Sequence, residues 1–439
     1  MTPASRLTRL VPATAPWPIP VRVKGGVSFW LAAYVALLPF QIEPSPDLRL
    51  SLADAALFAY LVWGVSRIRL VRGAWSAWHL ALVCLFALGL FVTVSNTGAL
   101  STYVYLNKAL GLLTLVAAYA VITSEIENWW QLRKVLRIFV LSVAFQNLVA
   151  MGALLASYVA GAHFSFINYG NERLSGMMYD PNAYGGLLIV ALAFNVAGST
   201  GPIPVTRGFL RVVCDVTLVV GILFTFSRSA WIALAAAWLT FLLFRPKPAL
   251  RMAAVVSMAI PVLLLFIGLG LLSPQRMLQR QDTIDSRVAL IHGSLDQFKE
   301  HPFLGMGLGG FRESGGTIVH NTFLWFLVDF GLAGAVVFSA FVAWFALAGF
   351  RAYTLAPPEA QPYVLASFVA LVGMLGLSMG IEAFYQRHWW LSFALVGAAS
   401  AITSKFKGGW PQAEEDIAFR HAPSWATKPQ IRALARHRV

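Results

Sequence analysis

"GTIVHNTFLWFLVDFGLAGAVVF", residues 316–338, joins a polar loop to some thirty apolar residues. It opens with His320 and Asn321 and carries Asp329 inside sequence otherwise suited to a membrane. What an ionisable imidazole does at such a junction depends on which side of a membrane it faces. The rest of the chain answers that.

Of the 439 residues, 58% are hydrophobic and 12% charged; soluble domains carry charge at about 25% of positions. The apolar residues fall into blocks near the ~20 helical residues that a bilayer core requires. Twelve are read: 26–42, 51–66, 77–95, 101–122, 136–160, 182–198, 209–226, 230–244, 252–272, 321–350, 363–380 and 388–403. Several, such as "GLLTLVAAYAVI", are apolar on every face, and no period-two alternation supports a β-barrel. The expected fold is therefore an all-α integral membrane protein of about 12 transmembrane helices. No cleavable signal peptide is read at the amino terminus. Cys84 and Cys214 both fall inside apolar blocks, where they read as packing residues.

The +14 net charge is a topology signal. With the amino terminus inside, most basic residues fall in cytoplasmic segments, as the positive-inside rule requires. Both termini are then cytoplasmic, and no nucleic-acid partner is expected. Three regions follow: a cytoplasmic segment 1–25, a membrane domain 26–403, and a basic cytoplasmic tail 404–439. The tail ends in "IRALARHRV", read as solvated or as a short helix on anionic lipid. The longest polar stretch, 273–320, lies outside between helices nine and ten, and a second outer loop spans 161–181.

Outer basic residues run against that bias and call for another reason. They are Arg49, Arg173, Arg228, Arg276, Arg280, Arg287, Lys299, Arg312 and Arg387. Arg228, in the tight turn of "FTFSRSAWIAL", reads either as a snorkelling side chain or as an anion site, since a guanidinium's forked donors match phosphate oxygens. Arg173 precedes "DPN", where Asp180 and Pro181 make a helix start. Val288, Ile291, Leu295 and Phe298 recur at helical spacing, so an amphipathic helix is expected on the membrane face. Arg287 in its first turn opposes the helix dipole. "GMGLGGF" reads as a mobile turn, since it lacks the strand and spacing of a nucleotide loop. Lys108, one or two turns from the outer end of helix four, is placed to snorkel or to reach a head group. Glu382, Gln386, Arg387 and His388 cap the outer ends of helices eleven and twelve. Asp329 is costly in a membrane, and pairing with a buried polar group or a direct role both remain open. Asn321 either orients the imidazole or caps the helix. Asp282 and Asp285, three apart, are weak evidence for a metal. No outer loop holds a D-x-D pair and no His/Cys cluster has ligand spacing, so no metal or cofactor is expected.

"HNTFLWFLVDFGLAG" fits H-[NS]-x9-G-x-x-G and resembles the signature of the O-antigen ligase and polysaccharide polymerase superfamily. The order around it is similar too: an Arg before a "PN" helix start, "SRSAW" at an outer turn, then "SR" followed by "HPFLGMGLGGF". The likeness is dense over about 170–340. It implies a GT-C-like, inverting, metal-independent glycosyltransferase of a bacterial inner membrane, with its site in the periplasm. The implied donor is a glycan on undecaprenyl pyrophosphate. The implied acceptor is a hydroxyl of lipid A core, for a ligase, or of another lipid-linked glycan, for a polymerase. Other polysaccharide-assembly proteins are possible partners. The family's histidine maps onto His320 and its arginines onto Arg173, Arg228 and Arg287; Asn321, Arg387 and Lys108 complete the expected substrate contacts. A twelve-helix transporter or flippase, or a non-catalytic scaffold, is the competing class. The short connection 199–208 and the absence of matched broken helices weigh against a transporter.

Overall fold

The computed structural model describes residues 26–45, 48–168, 173–268, 281–315 and 318–406. The segment 1–25, residues 407–439 of the tail, Arg276 and Arg280 lie outside the described residues, as do the side chains of Arg49, Asp282 and Asp285. Each of the twelve apolar blocks carries a helix. In chain order these are α1 (Phe29–Leu37), α2 (Leu52–Gly64), α3 (Ala77–Thr97), α4 (Leu110–Glu125), α5 (Trp129–Ala160), α6 (Pro181–Gly198), α7 (Gly208–Phe224), α8 (Arg228–Phe244) and α9 (Pro246–Gly268). After two helices of the long loop, α10 (Gln281–Glu300) and α11 (Gly310–Gly315), come α12 (Thr322–Leu355), α13 (Gln361–Ser378) and α14 (Arg387–Phe406).

Among the described residues, six helices are long and apolar enough to cross a membrane: α3, α4 with its preceding turn, α5, α6, α12 and α13. Others fall short for visible reasons. With nine residues α1 is too short to span, and α2 has thirteen. Between those two helices the chain forms an antiparallel hairpin, β1 (Gln41–Ser45) with β2 (Leu48–Ser51). The loop 161–181 holds a second hairpin, β3 (Ile167–Asn168) with β4 (Arg173–Leu174). Neither hairpin is foreshadowed by alternation, because each is only a few residues long.

The centre of the bundle is α6 and α13, buried around nearly their whole circumference. Small residues let α8 lie close to both. A Cβ on Gly185 would stand 2.6 Å from the Ala230 methyl, and one on Gly376 would stand 3.0 Å from the Ala233 backbone. Close backbone approach of this kind is how helices associate where no hydrophobic force separates them from lipid. Peripheral α3 and α12 instead leave Leu80, Phe91, Leu332 and Val336 exposed, as helices facing lipid do.

The Gly-rich stretch is not the mobile turn its composition predicts. It is wedged between α3 and α12. Met306 N donates to Val328 O at 3.0 Å, Gly307 N to Asp329 O at 2.9 Å, and Leu308 N to Gly89 O at 3.1 Å. Gly305 and Gly331 both have positive φ, and a Cβ on either would lie 2.4 Å from backbone atoms of the other strand of this contact. Glycine is required at both. Gly331 also breaks the helical dihedrals of α12, freeing carbonyls that the loop then satisfies. Asp329, only 1% exposed, accepts from Gly309 N at 2.7 Å and Phe311 N at 3.5 Å, capping α11. Its pairing is with backbone amides, which accounts for a carboxylate at that depth.

Candidate functional site

Four chain segments meet at one end of the bundle. The first is the start of α6, where Asp180 is the N-cap: its Oδ1 accepts from Asn182 N at 2.8 Å and from Asn182 Nδ2 at 3.0 Å. The second is the α7–α8 turn, where Ser227 caps α8 by accepting from Ala230 N at 3.2 Å. Among the described residues, two non-glycines adopt left-handed backbone, Tyr179 (φ 58°) and Phe226 (φ 48°). Each immediately precedes one of these caps. Such conformations cost about 1–3 kcal/mol each and persist where the surroundings enforce them, often at functional sites.

Arg173 bridges the segments on which both residues lie. It is 9% exposed, and it reaches out of β4 to donate through Nε to Thr225 O at 2.7 Å and through Nη2 to Asn182 Oδ1 at 2.9 Å. Ser227 Oγ donates to the same Asn182 Oδ1 at 2.8 Å. The guanidinium thus ties the hairpin, the α6 start and the α7–α8 turn into one unit. That turn delivers Arg228, which is exposed at the first position of α8. A cation there opposes the helix dipole, so packing alone gives it no reason to be arginine.

The third segment is α10, and the fourth the start of α12. On α10 Arg287 is half-buried, while Val288, Ile291 and Leu295 are exposed rather than packed on the bundle. Burial first, and then the like charge of Arg228, push the Arg287 guanidinium below its usual range, with Asp180 working against both. At the start of α12, His320 is open at its surface but crowded on its inner side. That crowding first, and the Arg287 charge second, hold its imidazole below the ordinary value of 6.5, while Asp180 and Glu382 oppose them. The charges of Arg228, Arg287, Asp180, His320 and Glu382 therefore act on one another across one small region.

Asn321 caps α12, accepting from Phe323 N at 2.9 Å and Leu324 N at 3.1 Å. Its Nδ2 donates to Met379 O at 3.1 Å, so its amide is engaged in structure rather than in holding the imidazole. Thr322 Oγ1 donates to Ile381 O at 3.0 Å and accepts from Ala383 N at 2.8 Å. The helix start that carries His320 is in this way fastened to the 379–383 turn.

Two further residues expected to meet substrate are already paired. Arg387 grips Asp54 with both arms, Nε to Oδ1 at 2.8 Å and Nη2 to Oδ2 at 2.5 Å. Asp54 in turn closes the capping box of α2 by accepting from Ser51 N at 2.9 Å. Lys108 does not snorkel. It lies in a π-helical turn (Val104–Ala109) ahead of α4, is 4% exposed and is ion-paired with Glu382. Glu382 and Asp180 are the acidic members of the region that cap-residue reasoning passed over. The Glu382 partner lies 274 positions away in sequence, so no local spacing reveals it.

With that geometry in place, family comparison adds its part. Residues 213–339 match the model of the O-antigen ligase family. Over that stretch the chain is similar to the O-antigen ligase family. The matched segment runs from α7 into α12 and contains Arg228, Arg287 and His320, while Arg173, Lys108 and Glu382 lie outside it. The likeness read from "HNTFLWFLVDFGLAG" is borne out over this stretch. No curated protein matches the chain.

Proposed function

We propose that this protein moves a glycan from undecaprenyl pyrophosphate to an acceptor hydroxyl on the periplasmic face of a bacterial inner membrane. In this reading all twelve apolar helices contribute to a GT-C-like membrane domain with cytoplasmic termini, and the end bearing His320 faces outward. The observation that supports it best is the meeting of Arg228, Arg287 and His320, all within the segment similar to the O-antigen ligase family. Pyrophosphate leaving from a sugar develops negative charge. Guanidinium groups fixed in advance stabilise such charge without reorganisation.

Arg228 and Arg287 hold the pyrophosphate, and Arg173 positions the turn from which Arg228 projects. His320 removes the proton from the acceptor hydroxyl as that oxygen attacks the anomeric carbon from the opposite face, inverting it. The bond from that carbon to pyrophosphate breaks, and the electron pair leaves on phosphate oxygen. A depressed imidazole is neutral at neutral pH and ready to accept a proton. No metal is invoked, since the arginines supply the positive charge.

The test is transfer in proteoliposomes from a purified undecaprenyl-pyrophosphate glycan, resolved by gel. With lipid A core as acceptor, a ligase decorates the core; with donor alone, a polymerase lengthens lipid-linked glycan. Formation of neither product by folded, membrane-inserted protein would sink the assignment.

A further inference from the structure

The Lys108–Glu382 pair has no place in the chemistry above, yet it is built with care. Both side chains are buried, at 5% and 9% exposure. Lys108 Nζ lies 4.5 Å from the Tyr385 ring centre and 4.7 Å from that of Trp325. Tyr385 donates its hydroxyl to Lys108 O at 3.1 Å. Trp325 belongs to the first turn of α12, whose backbone N–H donates to Asn321 O at 2.9 Å. Glu382 sits on the turn that receives Asn321 and Thr322. Beside the pair is a cavity with a free interior of about 10 Å³, reached by Val319 and Ile318 of the His320 segment. That is room for about one water, so charge is poorly screened there.

We propose that the Lys108–Glu382 ion pair is the positioning element of His320. It fixes the turn on which the start of α12 rests, and it supplies the negative charge that the imidazole meets when it takes up a proton. Lys108 keeps the carboxylate in place; Glu382 favours the imidazolium that forms during transfer. The other charges facing His320 are Arg287 from α10 and Asp180 from the α6 start. Those facing the pair are Asp329 from α12 and Arg312, whose guanidinium stacks 3.3 Å over Tyr103. This inference rests on His320 as the base, and its test separates the two.

The decisive variant is Glu382→Gln, which keeps shape and hydrogen bonding but removes charge. Diethyl pyrocarbonate acylates neutral imidazole, and mass spectrometry of the His320 peptide across pH gives its titration midpoint without any activity assay. Glu382→Gln is expected to move that midpoint to lower pH and the acid limb of transfer with it. The turnover rate should fall about tenfold, with donor KM within about twofold of wild type. An unmoved midpoint in a protein that accumulates normally overturns the proposal. Should Glu382→Gln fail to accumulate, the neutral pair Lys108→Met with Glu382→Gln must show the same shift. Failure of both to accumulate, beside a normally accumulating His320→Ala, assigns the pair a folding role only and overturns it too. Retained transfer in His320→Ala would instead remove the base assignment and leave the midpoint result standing.

Discussion

Two sets of cations stand at the same end of this bundle, and they differ in what answers their charge. Arg387 and Lys108 are closed by Asp54 and Glu382. Arg228 and Arg287, among the described residues, have no ion-pair partner within salt-bridge distance and crowd each other, with Asp180 offsetting part of the repulsion. Removing one partner of a buried pair strands the other charge and destabilises the fold. Like charges kept near one another against repulsion are poised for an anion that arrives from elsewhere. In the proposed function, the difference separates the scaffold of the site from the part that would be open to substrate.

Conservative replacement should break the comparison most sharply. Arg228→Lys and Arg287→Lys keep charge but lose the fork, and each should lower kcat/KM for the lipid-linked donor by about 10²-fold. Lys299→Arg, on the exposed face of α10, should change it little. If all three behave alike, the open set is not a pyrophosphate site.

The closed parts should respond in stability instead. Asp329→Leu strands the Gly309 and Phe311 amides and should cost about 2–4 kcal/mol, read as lost thermal stability in detergent. Asp54→Ala removes both the α2 capping box and the Arg387 partner, for about 1–3 kcal/mol. Its donor KM should stay at the wild-type value, and a raised KM would move Arg387 into the open set.

The smallest effect is one of pH. Arg287 lowers the His320 imidazole, so Arg287→Gln should raise it and shift the acid limb of transfer toward the ordinary value of 6.5. Asp180→Asn removes an opposing charge and should shift the limb the other way. Sign reversal in either variant would contradict the electrostatic arrangement.

Much of the open set was legible in the sequence. Arg228 and Arg287 stood out because, in the topology expected from the charge map, they run against the positive-inside bias, and His320 marked a polar-to-apolar junction. The helical spacing of Val288, Ile291 and Leu295 gave α10 for the same physical reason, although those side chains face outward from the bundle. The closed set was not legible. Lys108 lies in a π-turn and pairs with Glu382 through the packing of distant helices, neither of which leaves a local pattern. Glycines at 305 and 331 looked like flexibility because composition does not show that two backbones must touch there. The left-handed backbone at Tyr179 and Phe226 was likewise not legible, since neither residue type favours it.

Reconstituted His320→Ala tests the central claim most directly. Donor binding and transfer are measured on the same proteoliposomes with undecaprenyl-pyrophosphate glycan. The arginines predict donor binding close to wild type, and loss of the base predicts transfer reduced by about 10²–10⁴-fold. Transfer at the wild-type rate would contradict the account.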